Sequence, residues 1–350
     1  MDAALEKIAA GAEALDREPA FPSAAFDLLR DEGATAATLP GADGRRIGPA
    51  GEWSLVRAVA EADGSVGRIL DGHLNAVDRL LADGEPLSSE AIAAVREGRL
   101  FGLWGADPGS GEGSPAAVSG PAGQPVLTGA KTFCSGAGGV DSALVMARGG
   151  EPGPPLLVLV DIDDSVAIDR GWYRGSGLRA SESHRVHFDS TPVRAVLGEP
   201  GELGREPSFS LDAIRTAASW AGMADRAAAA ALTDLAERRS EDPLAQLAAG
   251  RIAAATGTID AWLDLAARRA DAGGIADLRA VSIRLRAELA GAVGRILDEA
   301  ARACGSHPFA TGRALDRSRR DLELFTLQHR LDPLLQREGR RILGAPEEAA

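Results

Sequence analysis

Hydrophobic positions along the chain change their period twice. Up to about Gly98 they recur at helical spacing, and Asp2–Arg17, Pro22–Glu32, Glu52–Ala62, Ser65–Asp83 and Ser88–Arg96 read as five helices. From Arg99 the spacing shortens. Leu100–Trp104, Val126–Phe133, Ala143–Ala147, Leu156–Asp161 and Arg185–Phe188 read as strands, divided by the Gly/Pro-rich runs Gly109–Gly113, Gly149–Pro155 and Gly171–Gly177. After Pro207 the helical period returns and stays. Leu211, Ile214, Ala218, Ala221, Ala228, Leu232 and Leu235 line one stripe, and Leu278, Leu285, Leu289, Val293, Leu297 and Cys304 another. Leu244–Ala270 and Ala314–Leu343 supply two further helices, with Gly273-Gly274 as a break.

This order predicts a multi-domain α+β protein. It has an all-helical N-terminal domain over 1–98, a central antiparallel β-barrel or sandwich over 99–207, and a C-terminal four-helix bundle over 208–350. No long helix separates the strands, which argues for antiparallel pairing. Gly109–Gly113 neither follows a strand nor opens a helix, so it is not a dinucleotide fingerprint.

Composition narrows the function. The 350 residues carry a net charge of −13 and no Lys/Arg cluster interleaved with aromatics, which argues against nucleic acid. Cys134 and Cys304 stand at no metal or redox spacing, as in a reducing cytoplasm. No apolar run approaches the roughly 20 residues of a membrane span, and Met1–Ala10 does not read as a signal peptide. These features predict a cytoplasmic protein with no membrane partner and no metal.

The candidate chemistry centres on Val126–Arg148. Here Val126–Thr128 reads as a strand, Gly129-Ala130 as a tight turn and Lys131–Ser135 as a second strand. Alternation puts Phe133 and Ser135 on one side and Cys134 on the other. Gly136-Ala137-Gly138-Gly139 lets the backbone approach something closely or turn without Cβ clashes. A flat apolar face beside a hydroxyl suits a planar, polar-edged ring such as a flavin. An ordinary hairpin with one core Phe is the alternative reading of the same residues.

With its flanks, this segment resembles the central domain of the acyl-CoA dehydrogenase family. Gly102-Leu103-Trp104-Gly105-Ala106-Asp107-Pro108-Gly109-Ser110 is similar to that family's Thr-Glu-Pro-Gly segment. Gly177-Leu178-Arg179-Ala180-Ser181-Glu182-Ser183, with Val186-His187-Phe188-Asp189 and Val193, is similar to its Gly-Leu-Arg-x-Ser region. Cys304-Gly305-Ser306 and Arg320-Asp321 stand where the family has a Gly-Gly turn and an Arg-Asp pair. The match is collinear over most of the chain. The resemblance implies FAD, or FMN, between the β domain and the bundle, with a homodimer or homotetramer formed through the bundle.

Carried over by resemblance, Phe133 lies against the flavin ring and Ser135 near its N5. Trp104, Gly105 and Ala106 lie along the pyrimidine side, although Ala106 replaces the family's usual hydroxyl residue. Arg238 and Ser240 resemble the family's phosphate-contacting Arg and Thr, since a guanidinium fork and a hydroxyl suit a diphosphate. Glu241-Asp242 departs from the pattern by bringing carboxylates to that anion. Arg302 stands where the family often has Gln, and Gly305 keeps the turn.

The family's catalytic base is a Glu eight residues beyond the Arg-Asp pair; here that position is His329. A minority of relatives place the Glu just before a helix Arg; here the Arg is Arg215 and Ile214 precedes it. His329 therefore has three readings: a base titrating near neutral pH, a residue of the flavin-monooxygenase branch, or a structural histidine. Of the other histidines, His184 and His187 fall on opposite strand faces. His73 and His307 read as satisfied polar residues, and Lys131 and Asp141 as structural. The first expectation is an FAD oxidoreductase that dehydrogenates an acyl-CoA or related thioester, with His329 and Arg215 as its catalytic residues and an electron-transfer partner. The second is a flavin-dependent monooxygenase fed by a flavin reductase, and the third an inactive scaffold paralogue.

Overall fold

The structure, a computed structural model, describes residues 1–344 apart from Ala42, Ala122, Glu151, Gly274 and His329, and it describes no side chain for Ile275 or Ala276. Its helices are α1 (Asp2–Arg17), α2 (Ser23–Asp31), α3 (Gly48–Ala62), α4 (Gly64–Asp83), α5 (Leu87–Arg96), α6 (Ser208–Arg239), α7 (Pro243–Asp271), α8 (Ile275–Cys304), α9 (His307–Ala310), α10 (Ala314–Phe325) and α11 (Leu331–Ile342). Its strands are β1 (Phe101–Trp104), β2 (Ala117–Ser119), β3 (Val126–Cys134), β4 (Ser142–Ala147), β5 (Leu156–Asp161), β6 (Ala167–Asp169), β7 (His184–Pro192) and β8 (Ala195–Leu197). The predicted class holds: helices, then a mainly antiparallel β region, then long helices.

Contacts group the chain into two compact units. One comprises Met1–Gly48, Ser65–Gly175 and Arg179–Phe209, and the other Pro49–Gly64, Ser176–Leu178 and Ser210–Ala350.

In the first unit the strands form two four-stranded sheets, ordered β1-β4-β5-β8 and β2-β3-β7-β6. All pairs are antiparallel except β1 with β4. Val77 and Leu80 of α4 and Val95 of α5 pack on Phe101, Leu144, Leu157, Leu159 and Leu197, burying one face of the first sheet. At about 25 cal/mol per Å² such burial is the main driving force of the unit. The tight turn expected at Gly129-Ala130 is instead a bulge within one continuous strand. Gly129 has φ +116°, and a Cβ there would lie 2.5 Å from the Pro115 carbonyl oxygen, so the strand kinks around a neighbouring backbone without reversing.

In the second unit every residue of α6 from Asp212 to Ala224 is buried, so this helix is enclosed on all sides. Small residues allow the enclosure: a Cβ on Gly222 would lie 2.0 Å from the Arg57 carbonyl oxygen of α3. Arg57 bonds Asp225 at 2.6 and 2.9 Å and pairs with Asp260 at 2.7 Å, which ties α3 to α6 and α7. The single helix expected over Ala314–Leu343 is two, α10 and α11. Thr326 Oγ1 turns back to the Leu322 carbonyl at 2.8 Å. Pro333 sits in the first turn of α11, where its missing N–H leaves no gap; inside one continuous helix it would break the ladder. Among the described residues no helix is long and apolar enough to cross a membrane, and no group of three His, Cys, Asp or Glu could hold a metal.

His73 of α4 joins helix to sheet. Its Nε2 donates to the Thr35 carbonyl at 2.9 Å and its Nδ1 accepts the Phe101 N–H at 3.0 Å, which defines the neutral tautomer. Burial drives its pKa down to about 4. An unfolded chain takes up this proton near pH 6.5, so the stability it confers is complete above that pH and declines as pH falls towards 4. The shift corresponds to about 3 kcal/mol. His73→Gln keeps one donor and one acceptor without the titration; urea unfolding at pH 7 and pH 4 should show a clearly smaller acid-induced loss in this variant than in the wild type.

Candidate functional site

The candidate site on the first unit begins where β3 ends. Phe133 adopts a left-handed backbone, φ +52°, and carries its ring outwards, 53% exposed, while Cys134 turns into the core. Burial pushes the Cys134 thiol well above its ordinary range, so it is an inert core group. The Phe133 ring meets Trp172 edge-on, with centroids 4.9 Å apart and planes at 86°. Trp172 is held in turn, its Nε1 donating to Glu112 Oε1 at 3.0 Å while Glu112 Oε2 accepts the Gly109 N–H at 2.8 Å. These two bonds hold the Glu112 carboxyl below its ordinary pKa. Arg185 donates to the Glu112 carbonyl at 3.0 Å and to Asp169 at 2.6 Å, fixing the same loop from β7.

Beside this aromatic corner lies a row of hydroxyls. Ser135 Oγ is 2.9 Å from Ser183 Oγ, which is 2.7 Å from Ser181 Oγ. The Ser135 carbonyl accepts the Trp104 indole N–H at 3.1 Å. The Trp104 side chain is itself 1% exposed and supports Ser135 from within the core, so the ring-edge role expected of it falls to its backbone at most. The strand opposite repeats the local geometry. Glu182 is left-handed at φ +49° and its carbonyl accepts the His184 N–H at 2.9 Å, just as Phe133 O accepts the Ser135 N–H at 2.9 Å. The Glu182 side chain is clamped by Arg170 and lies 3.2 Å from His184 Nε2. Burial works to raise the Glu182 pKa, but His184 and Arg170 outweigh it and the net shift is downwards. Gly138 exists for this clamp, since a Cβ there would lie 1.9 Å from the Glu182 carboxylate.

Gly105 and Ala106 run alongside, tied down by their carbonyls. Lys131 Nζ donates to Gly105 O at 3.0 Å and Asp107 at 2.7 Å, and the Thr132 N–H donates to Ala106 O at 3.0 Å. Burial lowers the pKa of Lys131 against the opposing pull of Asp107. Ala106 is exposed, and among the described residues no acceptor meets its N–H. The Asp141 carboxylate takes the Leu100 N–H at 2.7 Å. Trp172, Glu112 and Ser183 carry more of this site than the sequence reading assigns them. Their signals were a lone Trp in a Gly-flanked turn and a hydroxyl two residues from another just before a strand.

The remaining candidates belong to the second unit. Arg215 does not stand free for catalysis: it is 2% exposed, with Nη2 2.6 Å from Glu52 and Nη1 3.4 Å from Asp212. Its neighbour Ile214 is fully buried. His329 lies outside the described residues. Arg320-Asp321 works as a backbone clamp. Asp321 Oδ1 accepts the Leu178 N–H at 2.5 Å, Arg320 donates to the Ser176 carbonyl, and a Cβ on Gly177 would lie 2.1 Å from the Arg320 carbonyl oxygen.

The four phosphate candidates gather at one end of this unit. Arg239 donates to the Ala303 carbonyl at 3.1 Å, joining the end of α6 to that of α8. This brings Arg238 and Ser240 near Arg302 and Gly305, which has φ +71° and closes α8. Arg238 pairs with Asp234 at 3.2 Å, Arg302 approaches Glu299 at 4.0 Å, and the Ser240 carbonyl accepts from Gln246 at 2.9 Å. Asp242, one of the two unexpected carboxylates, caps α7 by accepting the Leu244 N–H at 2.9 Å.

No protein-family model matches the sequence, and no curated protein matches it. Solved structures do share its fold, which is acyl-CoA dehydrogenase-like. FMN-bound TdsC from Paenibacillus sp. A11-2 is 20% identical over 97% of this chain and 95% of its own, with a TM-score of 0.85. KijD3, solved with FMN and a dTDP-linked amino keto sugar, is 23% identical over 100% of this chain and 93% of its own, with a TM-score of 0.85. The methanesulfinate monooxygenase MsuC from Pseudomonas fluorescens is 20% identical over 99% and 98%, with a TM-score of 0.78. At these identities the likeness is one of fold.

Arg215→Ala would leave the Glu52 carboxylate buried without its closest cation. A loss of about 3–5 kcal/mol is expected in urea unfolding, which identifies the residue as a structural anchor of its unit.

Proposed function

We propose that this chain binds FMN and acts as a flavin-dependent monooxygenase on a small organic substrate, supplied with reduced flavin by a partner reductase. The observation that carries the reading is the lack of a carboxylate at either position from which relatives remove an α proton. Residue 329 is histidine, and residue 214 is an isoleucine sealed in the core. Dehydrogenation of an acyl thioester needs that base within hydrogen-bond reach of the proton; oxygenation does not. The fold supports the same reading. TdsC has been solved as a dibenzothiophene monooxygenase and with FMN and indole together, and MsuC is a monooxygenase by name.

The residues present fit a flavin. Phe133 and Trp172 offer an exposed aromatic corner, the Ser135 hydroxyl stands beside it, and the exposed Ala106 N–H can donate to a ring carbonyl. When bound, reduced flavin supplies the two electrons that allow dioxygen to give one atom to the substrate and the other to water. The chain's part is to bind the ring against Phe133 and orient its edge by hydrogen bonds. On the second unit, Arg238 and Arg302 keep exposed guanidinium groups beside the carboxylates Asp234 and Glu299.

The purified protein should quench FMN fluorescence on titration, and Phe133→Ala should weaken that binding roughly 3- to 10-fold. Reduced FMN and air should convert indole to an oxygenated product. Bleaching of the bound flavin by an acyl-CoA under anaerobic conditions would instead assign the protein to dehydrogenation.

A further inference from the structure

The three hydroxyls beside Phe133 can be assigned a direction. Ser181 is fully buried, and among the described residues its Oγ meets one partner, Ser183 Oγ at 2.7 Å. A buried O–H without an acceptor costs about 1–3 kcal/mol, and orphaned donors are avoided more strictly than acceptors with lone pairs to spare. Ser181 therefore donates to Ser183. The single proton of Ser183, itself buried, is then free only for Ser135, 2.9 Å away. Ser135 accepts that proton and keeps its own for whatever lies against the half-buried side of the residue. In the reverse arrangement Ser135 donates inwards and the chain ends on a Ser181 proton with no acceptor.

The backbone holds this row in place. The Gly136 N–H bonds the Ser181 carbonyl at 2.8 Å, and the left-handed Glu182 places Ser181 and Ser183 on the same side. Glu182 is fixed by Arg170 and by the Ala137 N–H, which reaches its carbonyl at 3.3 Å. The left-handed conformation at a buried Glu is an unfavourable one, maintained by these contacts.

We propose that Ser183 is a positioning residue whose buried hydroxyl, polarised by Ser181, fixes Ser135 as a hydrogen-bond donor towards the bound ligand. The identity of that ligand rests on the FMN reading; the direction of the chain does not. A fixed donor discriminates between redox states of a flavin. The N5 of an oxidised ring offers an in-plane lone pair, whereas that of a reduced ring carries a proton and is a far poorer acceptor for the Ser135 hydroxyl. Ser183 therefore favours the oxidised form, so the step it opposes is the replacement of spent flavin by a fresh reduced molecule.

The test compares Ser183→Ala with Ser183→Thr, which restores the hydroxyl. Fluorescence titration with oxidised FMN, and anaerobic titration with reduced FMN, read the two affinities directly. Ser183→Ala should weaken oxidised FMN roughly 3- to 10-fold and reduced FMN less than about 2-fold, and Ser183→Thr should recover the difference. Equal weakening of both forms, or no weakening, would overturn the proposal. If the wild type bound neither form, the FMN reading would fall by itself. The hydroxyl chain would then be decided by neutron diffraction from deuterated wild-type crystals: deuterons on Ser181 towards Ser183 and on Ser183 towards Ser135 support it, and the reverse order overturns it.

Discussion

The candidate site depends on one constraint, a pair of left-handed kinks, one near the end of β3 and one just before β7. An unbroken ladder would send successive side chains to opposite faces and keep every N–H in the sheet. Here Phe133 and Glu182 both take left-handed backbones, and each carbonyl is used two residues on, by Ser135 and His184. The disturbance thrusts Phe133 out of the sheet and lines up Ser135, Ser183 and Ser181. A left-handed conformation at a bulky residue persists only where surrounding contacts determine it. The Trp104 indole, the Arg170 clamp and the Trp172–Glu112 bond supply those contacts, and none of them touches the exposed face of Phe133 in exchange for its strain except Trp172.

Glycines in this region serve the protein's own side chains. The run Gly136–Gly139 reads in sequence as backbone opened for a close approach, and so it is, but what approaches is internal. A Cβ on Gly138 would collide with Glu182, and one on Gly139 would lie 2.4 Å from the Phe21 ring. A glycine-rich stretch says that space is short; it does not say what fills the space. The same logic applies to Gly177, whose neighbour is the Arg320 carbonyl. Its place in the family-like segment follows from packing against an Arg-Asp clamp.

Much of the fold was legible because it is locally encoded. The bounds of α1, β5 and α4 follow from unbroken periodicity and differ little from those read along the chain. The three-residue strands β2, β6 and β8 were not legible, since runs that short carry no period and exist only through their partners in the ladder. Pro333 was a visible sign of the break between α10 and α11, outweighed in the reading by apolar positions on either side. Within the site, Phe133 and Ser135 stood out as an aromatic and a hydroxyl on one strand. Trp172 and Glu112 meet across 60 residues, and Ser183 meets Ser135 across 48, so their pairing is a product of tertiary structure alone. The partners of Arg215 were equally hidden, because Glu52 meets it across 163 residues.

The surroundings of Arg215 also bear on which chemistry the scaffold can support. A carboxylate placed just before this Arg would stand where Ile214 does. Here the preceding side chain, Ile214, is wholly enclosed, and the guanidinium beside it is already balanced by Glu52 at 2.6 Å and Asp212 at 3.4 Å. A third carboxyl in that position would gain little from a cation so fully engaged, while burial would favour its neutral form. A neutral acid cannot accept an α proton. A working carboxylate at residue 214 would therefore require rebuilding the Glu52–Arg215–Asp212 group as well. The ion-pair network thus uses the arginine to hold α3 against α6.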